Sequence, residues 1–161
     1  MVTATKDIWA ILKTVPDPEI PNLSVVDLGI IRDIEENDDG LIVTITPTYS
    51  GCPAMDMIEV NIKAVLEDSG YKDVKVNTVL SPAWSTDWIS DEGLKKLKES
   101  GITPPQGKAD KRILQGDFDG IPCPLCESTN TEMISQFGST ACKALFRCKN
   151  CGEPFDYFKC H

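Results

Sequence analysis

Ile121-Pro122-Cys123-Pro124-Leu125-Cys126 is answered, after an interval of 21 residues, by Cys148-Lys149-Asn150-Cys151-Gly152. A C-x-x-C pair can wrap one edge of a metal tetrahedron. Two such pairs supply four thiolates and close the site, leaving no open position. The spacing therefore predicts Cys123, Cys126, Cys148 and Cys151 as ligands of one structural metal. Zinc is the natural occupant, and iron in a rubredoxin-like knuckle would use the same thiolates. Pro122 and Pro124 stiffen the first knuckle, and Gly152 supplies the positive φ that a tight turn after the second requires. Residues 121–161 number only 41. A core that small needs a staple, and the metal is expected to fold this tail as a zinc ribbon.

The rest of the chain reads as one ordinary domain. The full chain of 161 residues is 41% hydrophobic, the range of soluble globular proteins. No apolar run approaches the length that spans a bilayer. The stretch Met1-Val2-Thr3-Ala4-Thr5-Lys6-Asp7 lacks the basic and apolar regions of a signal peptide. Seven cysteines, an odd count with four at metal spacing, do not form a disulfide framework. A cytoplasmic protein without a membrane partner is expected. The net charge of −9 falls entirely in residues 1–120, with 12 basic against 21 acidic side chains, and residues 121–161 hold four of each. A phosphate backbone demands clustered Lys and Arg, so nucleic acid is not an expected partner.

The periodicity predicts an α+β fold. Ile8, Ile11, Leu12 and Val15 mark a helix over 5–15, stopped by Pro16 and Pro18. Residues 30–36 and 41–47 read as strands joined by the turn Asn37-Asp38-Asp39-Gly40. Residues 53–69 read as a helix with Ile58, Ile62, Val65 and Leu66 on one face and Gly70 at its end. Residues 73–80 read as a third strand, with Val74, Val76 and Leu80 on one side, and a short helix is expected near 91–100. The result is a small α-β-β-α-β open-sheet domain with helices on one face, over 1–102. A linker over 103–120, rich in Gly and Pro, leads to the four-cysteine zinc ribbon over 121–161.

Cys52 stands apart from these four, in Thr46-Pro47-Thr48-Tyr49-Ser50-Gly51-Cys52-Pro53. Pro53 suits the first position of a helix, which would place Cys52 at its N-cap. There the helix dipole and free backbone N–H groups would lower its pKa. A small core cysteine is an equally good reading of the position. Thiol catalysis is disfavoured, because the one histidine, His161, lies in the other module. Asp17, Glu19 and Asp27 look like turn carboxylates that cap backbone N–H groups, with metal contact from Glu19 or Asp27 the lesser alternative. Cys142, Cys160 and His161 are spare soft ligands in the tail, read as ordinary buried or exposed groups rather than as a second metal site.

Two groups of motifs point to a family. The Asp17-Pro18-Glu19-Ile20-Pro21 loop, the Ser24-Val25-Val26-Asp27-Leu28-Gly29-Ile30 turn and the Thr48-x-x-Gly51-Cys52-Pro53 corner resemble the small domain of SufT-type and cytosolic iron–sulfur assembly factors. The tail narrows this through Gly138-Ser139-Thr140-Ala141-Cys142-Lys143-Ala144 and the run from Cys151 to Cys160. Domain and tail together resemble the PaaD family of bacterial phenylacetyl-CoA epoxidase systems. The resemblance implies an accessory protein of phenylacetate degradation, not an enzyme. Such a protein would help mature a metal centre, such as the iron–sulfur cluster of the reductase. On that resemblance Cys52 is a transient ligand for iron or a cluster, Asp27 is the neighbouring acidic position, and the reductase or oxygenase components are the partners. A rubredoxin-like electron carrier and a purely structural adaptor are the alternatives. An oxygenase site within this chain fails on ligands, since a di-iron carboxylate centre needs paired Glu-x-x-His motifs. The oligomeric state stays open, a homo-oligomer included.

Overall fold

The computed structural model describes residues 5–49, 51–105, 120–140 and 142–158. The chain divides into two compact units, Met1–Gly93 and Leu94–His161.

The first unit opens with helix α1, Thr5–Leu12. It stops earlier than the apolar periodicity predicts. Thr14 and Val15 donate their N–H groups to Ile11 and Leu12, three residues back, so the last turn tightens ahead of Pro16. Ile8 and Leu12 are fully buried. Strands β1, Ile31–Asn37, and β2, Gly40–Ile45, form the expected antiparallel hairpin, with Asn37 opposite Gly40. Asn37 Oδ1 accepts from the Asp39 N–H at 3.0 Å and holds the turn. Helix α2, Ala54–Asp68, then carries the chain across to β3, Val74–Thr78, which pairs parallel to β2 from Leu41↔Val74 to Ile45↔Thr78. A helical crossover is what a parallel pair requires.

β2 is thus the central strand, and its Leu41, Val43 and Ile45 are buried. They share the core with Ile58, Ile62 and Leu66 of α2. This is the predicted order of elements. Leu80 departs from expectation. β3 ends at Thr78, and Leu80 lies exposed beyond it.

Residues 81–90 fold back over the 24–30 turn. Trp84 Nε1 donates to the Leu28 carbonyl at 2.8 Å, and Arg32 stacks its guanidinium 3.5 Å from the Trp88 ring centroid. Gly29 makes this possible. Its φ is +71°, and a Cβ there would collide with the Trp88 carbonyl. Gly29→Ala is therefore expected to destabilise the first unit by about 2–3 kcal/mol, through backbone strain and steric overlap together. Urea unfolding followed by Trp fluorescence checks this; an unchanged midpoint would mean that the 81–90 segment does not hold the turn.

Helix α3, Asp91–Glu99, begins with Ser90 Oγ accepting from the Gly93 N–H at 2.9 Å. The division between units falls inside this helix, earlier than the 102/103 boundary that composition indicated. The reason is a long-range pairing. Strand β4, Ile102–Thr103, runs parallel to the last strand of the tail, with Ile102 opposite Asp156. The first residue of the expected linker, Thr103, thus belongs to the ribbon sheet, and linker residues 106–119 lie outside those described. Strands β5, Thr131–Ser135, β6, Lys143–Cys148, and β7, Pro154–Phe158, complete a four-stranded sheet of order β4-β7-β6-β5. Its core is small: Ile121, Ala144, Phe146, Phe155 and Tyr157, with Cys123 and Cys148.

Candidate metal centre and the Cys52 niche

The two C-x-x-C segments fold as near copies of each other. In the first, the Glu127 N–H donates to the Cys123 carbonyl and the Cys123 N–H donates to the Ser128 carbonyl, both at 2.9 Å. In the second, the Gly152 N–H donates to the Cys148 carbonyl and the Cys148 N–H to the Glu153 carbonyl, also at 2.9 Å. Each turn needs a left-handed residue at its close. Gly152 takes φ +80° as the sequence predicts, and Glu127 takes φ +62° without being glycine. A 2.7 Å ion pair between Glu127 and Lys98 accompanies that conformation. This equivalence escaped sequence reasoning, because nothing in Glu127 signals a positive φ.

The four sulfurs lie within 4.8 Å of one another. Cys123 Sγ is 3.8 Å from Cys151 Sγ, and Cys126 Sγ is 3.5 Å from Cys148 Sγ. A tetrahedral site with metal–sulfur bonds of about 2.3 Å has edges of roughly 3.8 Å. The donor set therefore fits a four-thiolate metal, and these four cysteines form a metal-binding cluster. Cys123 and Cys148 are buried, while Cys126 and Cys151 face solvent. The electrostatics without a cation are split. The Ser128 N–H, with the Cys148 and Cys151 thiols and Asn150 helping, brings Cys126 down to about 7 against the cost of desolvation. At Cys151 the Glu153 N–H favours the thiolate, but desolvation and the three neighbouring sulfurs push it up to about 12. Four adjacent thiolates repel one another, and a divalent cation removes that conflict by binding all four.

Cys142 is not part of this cluster. It is buried, and its Sγ lies 3.0 Å from Thr140 Oγ1, the environment of a small core thiol. Cys160 and His161 lie outside the described residues.

Cys52 sits where β2 hands over to α2, but not at the N-cap. Helix α2 begins at Ala54, and Pro53, with φ −69° and ψ −19°, occupies the cap position. Cys52 is one residue further out, beyond Gly51 at φ +78°. Its thiol is partly buried rather than open. Its pKa is raised, which corrects the expectation of a lowered one. Burial is the largest cause, and it outweighs the Ala54 N–H and the Tyr49 hydroxyl, both of which favour the thiolate. The carboxylates of Glu19 and Asp17 add to the rise. The helix N-terminus therefore does act on the sulfur, through Ala54, but desolvation and two anions override it.

The first loop explains how those anions arrive. Asp17 is buried, and its Oδ1 accepts from the Glu19 and Ile20 N–H groups at 2.8 and 2.9 Å. This is the expected capping role, and it also places Asp17 and Glu19 where their charges act on Cys52. Asp27 is engaged elsewhere. Its Oδ2 accepts from the Ser24 N–H at 3.1 Å, its own N–H donates to Ser24 Oγ, and Ser90 Oγ donates to Oδ1 at 3.4 Å. Asp27 is a buried clasp between the 24–30 turn and Ser90. The carboxylates acting on Cys52 are Glu19 and Asp17, which the sequence reads first as turn residues, with metal contact from Glu19 as the lesser alternative.

Comparison with known proteins separates the chain along the same lines. Residues 5–78 match a family model described as iron–sulfur cluster assembly protein, and residues 107–159 match the PaaD zinc beta ribbon domain. A protein of Escherichia coli (strain K12), named for 1,2-phenylacetyl-CoA epoxidase as one of its subunits, is 46% identical over 154 residues, 96% of this chain and 92% of that protein. The chain belongs to the PaaD family. An Fe-S protein maturation auxiliary factor of Porphyromonas gingivalis is 39% identical over 94 residues, 57% of this chain and 89% of the relative. The crystal structure of a DUF59 domain from Bacillus anthracis superposes with a TM-score of 0.54 at 29% identity, over 57% of this chain and 89% of that domain. The fold is therefore a small α+β assembly-type domain followed by a four-cysteine zinc ribbon. Among the described residues, no helix is long and apolar enough to cross a membrane.

Proposed function

We propose that this chain is a non-catalytic, cytoplasmic accessory factor that matures a metal centre of the phenylacetyl-CoA epoxidase system. On this reading it delivers iron or an iron–sulfur cluster to the reductase component, with Cys52 as the transient ligand. Membership of the PaaD family and relatives named as Fe-S protein maturation auxiliary factors support the accessory role. The observation that carries the assignment to Cys52 is its niche: a partly buried thiol under the influence of the Asp17 and Glu19 carboxylates. No histidine stands among the described residues to serve as a base, so the niche offers ligands rather than acyl-transfer chemistry.

A raised thiol pKa suits a temporary hold. At neutral pH Cys52 carries its proton, and incoming iron must displace it. Carboxylates beside the sulfur favour the approach of a cation. When a client thiol takes over the iron, the iron–Cys52 bond breaks, the iron–client bond forms, and the proton that the client thiol loses is taken up by the Cys52 sulfur. The higher the Cys52 pKa, the more the return of the proton favours release. Asp27 enters the proposal as a positioning residue that holds the turn following the Asp17 loop.

Cys123, Cys126, Cys148 and Cys151 would hold a resident zinc, which supplies rigidity rather than reaction chemistry. Metal analysis of protein purified without oxygen tests both sites together. Wild type and Cys52→Ala are each expected to hold about one zinc per chain, while iron above background is expected in wild type alone. Equal iron in both would remove Cys52 from the mechanism. A visible thiolate-to-iron absorption band in the Cys52→Ala protein would instead make the ribbon a rubredoxin-like electron carrier.

A further inference from the structure

Helix α2 has a second apolar face that its own domain does not use. Successive helical residues advance by about 100°, so Pro53, Met57, Val60 and Ala64 fall within a sector of about 60°. All four are exposed, Met57 at 54% and Val60 at 60%. The core-facing residues Ile58, Ile62 and Leu66 lie on another side of the helix and are fully buried. The exposed stripe is rimmed by Asp56, Glu67 and Asp68, all exposed and none paired with a cation among the described residues. Lys63, the helix's only cation, is held by Glu59 at 2.8 Å. The stripe starts at Pro53, the residue after Cys52.

We infer that the stripe Pro53–Met57–Val60–Ala64 is the docking surface for the protein that receives the cargo, and that the matching surface of that client is an apolar strip flanked by Lys or Arg. This rests on the reading of Cys52 as the transfer ligand. Two features identify the occupant. A strip of aliphatic side chains in water is stabilised by a partner of like chemistry. Its acidic rim, with a chain charge of −9, selects a basic partner and repels a second copy of this chain. Continuity with Cys52 gives the contact its purpose. A client lying along α2 brings its own ligands to the sulfur end of the helix, where exchange takes place.

The experiment measures binding of the full-length protein to the purified reductase and oxygenase components by biolayer interferometry, with cluster transfer read on the same preparations. Met57→Glu/Val60→Glu is expected to weaken binding to the client at least ~10-fold, the loss typical of a truncated interface anchor, and to abolish transfer, while circular dichroism stays unchanged. Met57→Ala/Val60→Ala, which keeps the helix and adds no charge, is expected to weaken binding by a smaller factor. Asp56→Asn/Glu67→Gln/Asp68→Asn is expected to flatten the salt dependence of association. Undiminished client binding by both Met57/Val60 variants overturns the surface, as does a change in oligomeric state by light scattering with client affinity intact, which would make it a self-association face. Cys52→Ala separates the two proposals. Binding without transfer supports both, whereas normal transfer by Cys52→Ala with loss of binding in Met57→Glu/Val60→Glu removes Cys52 and leaves the docking surface standing.

Discussion

Cys148→Ser is expected to abolish metal binding and unfold the second unit, while the first unit keeps its structure. The ribbon's core cluster among the described residues is small, Ile121, Ala144, Phe146, Phe155 and Tyr157 beside Cys123 and Cys148, with Phe146 stacked on Phe155 at 5.8 Å between centroids. Burial on that scale does not offset the conformational entropy of ordering the segment. A structural zinc contributes about 10–16 kcal/mol of apparent binding free energy, so the metal decides whether this unit folds. The four positions should not be equivalent. Cys123 and Cys148 are buried, so a serine there leaves a hydroxyl without water beside a broken site. Cys126 and Cys151 face solvent, and their serines can be hydrated. Zinc content is expected to fall in all four variants, and most completely in Cys123→Ser and Cys148→Ser. Because β4 pairs with β7, amide exchange should rise at Ile102 and Thr103 together with the ribbon. Full zinc retention by any single variant would mean that another group completes the site.

How much of this was legible in sequence depends on the range of each interaction. The tetrad could be read because the spacing within each C-x-x-C pair is local, although the likeness of the two turns could not. The hairpin at Asn37–Gly40 could be read for the same reason. Gly40, however, also meets the backbone of Asp73 at the start of β3, a close approach that no local pattern announces. Helix α3 lies where the sequence expects it, but β4 was missed because it rests on Ile102 pairing with Asp156, far along the chain. Leu80 looked like a continuation of the apolar alternation, but alternation does not say where pairing to β2 ends. Cys52 is the instructive case. Its neighbour in sequence, Pro53, argues for a lowered pKa by way of the helix terminus. The groups that decide the direction are burial and the carboxylates of Glu19 and Asp17, brought there by the Asp17 cap from the first loop.

Cys52→Ala is expected to leave the protein folded and the epoxidase reductase without its normal cluster content. Cys52 is partly buried, so removing its sulfur forfeits little packing, and the melting midpoint of the first unit should fall by roughly 4 °C or less. The pH dependence adds an internal check. The folded-state pKa lies above 9.0, the ordinary thiol value. In strong alkali the unfolded chain therefore releases this proton before the folded chain does. The stabilisation tied to the protonated thiol is complete below about pH 9 and is lost as pH rises through the folded value. Cys52→Ala should lose that part of the alkaline decline in stability, and at neutral pH should show only the small packing loss. Alkylation should agree: iodoacetamide, which the thiolate attacks with loss of iodide, should react more slowly with Cys52 in the folded protein than with a free cysteine at about pH 8. In cells whose sole copy carries Cys52→Ala, the iron and acid-labile sulfide of the purified reductase should drop well below those made with wild type. Normal cluster content would remove Cys52 from the mechanism. A large fall in melting midpoint would assign it to the core of the first unit.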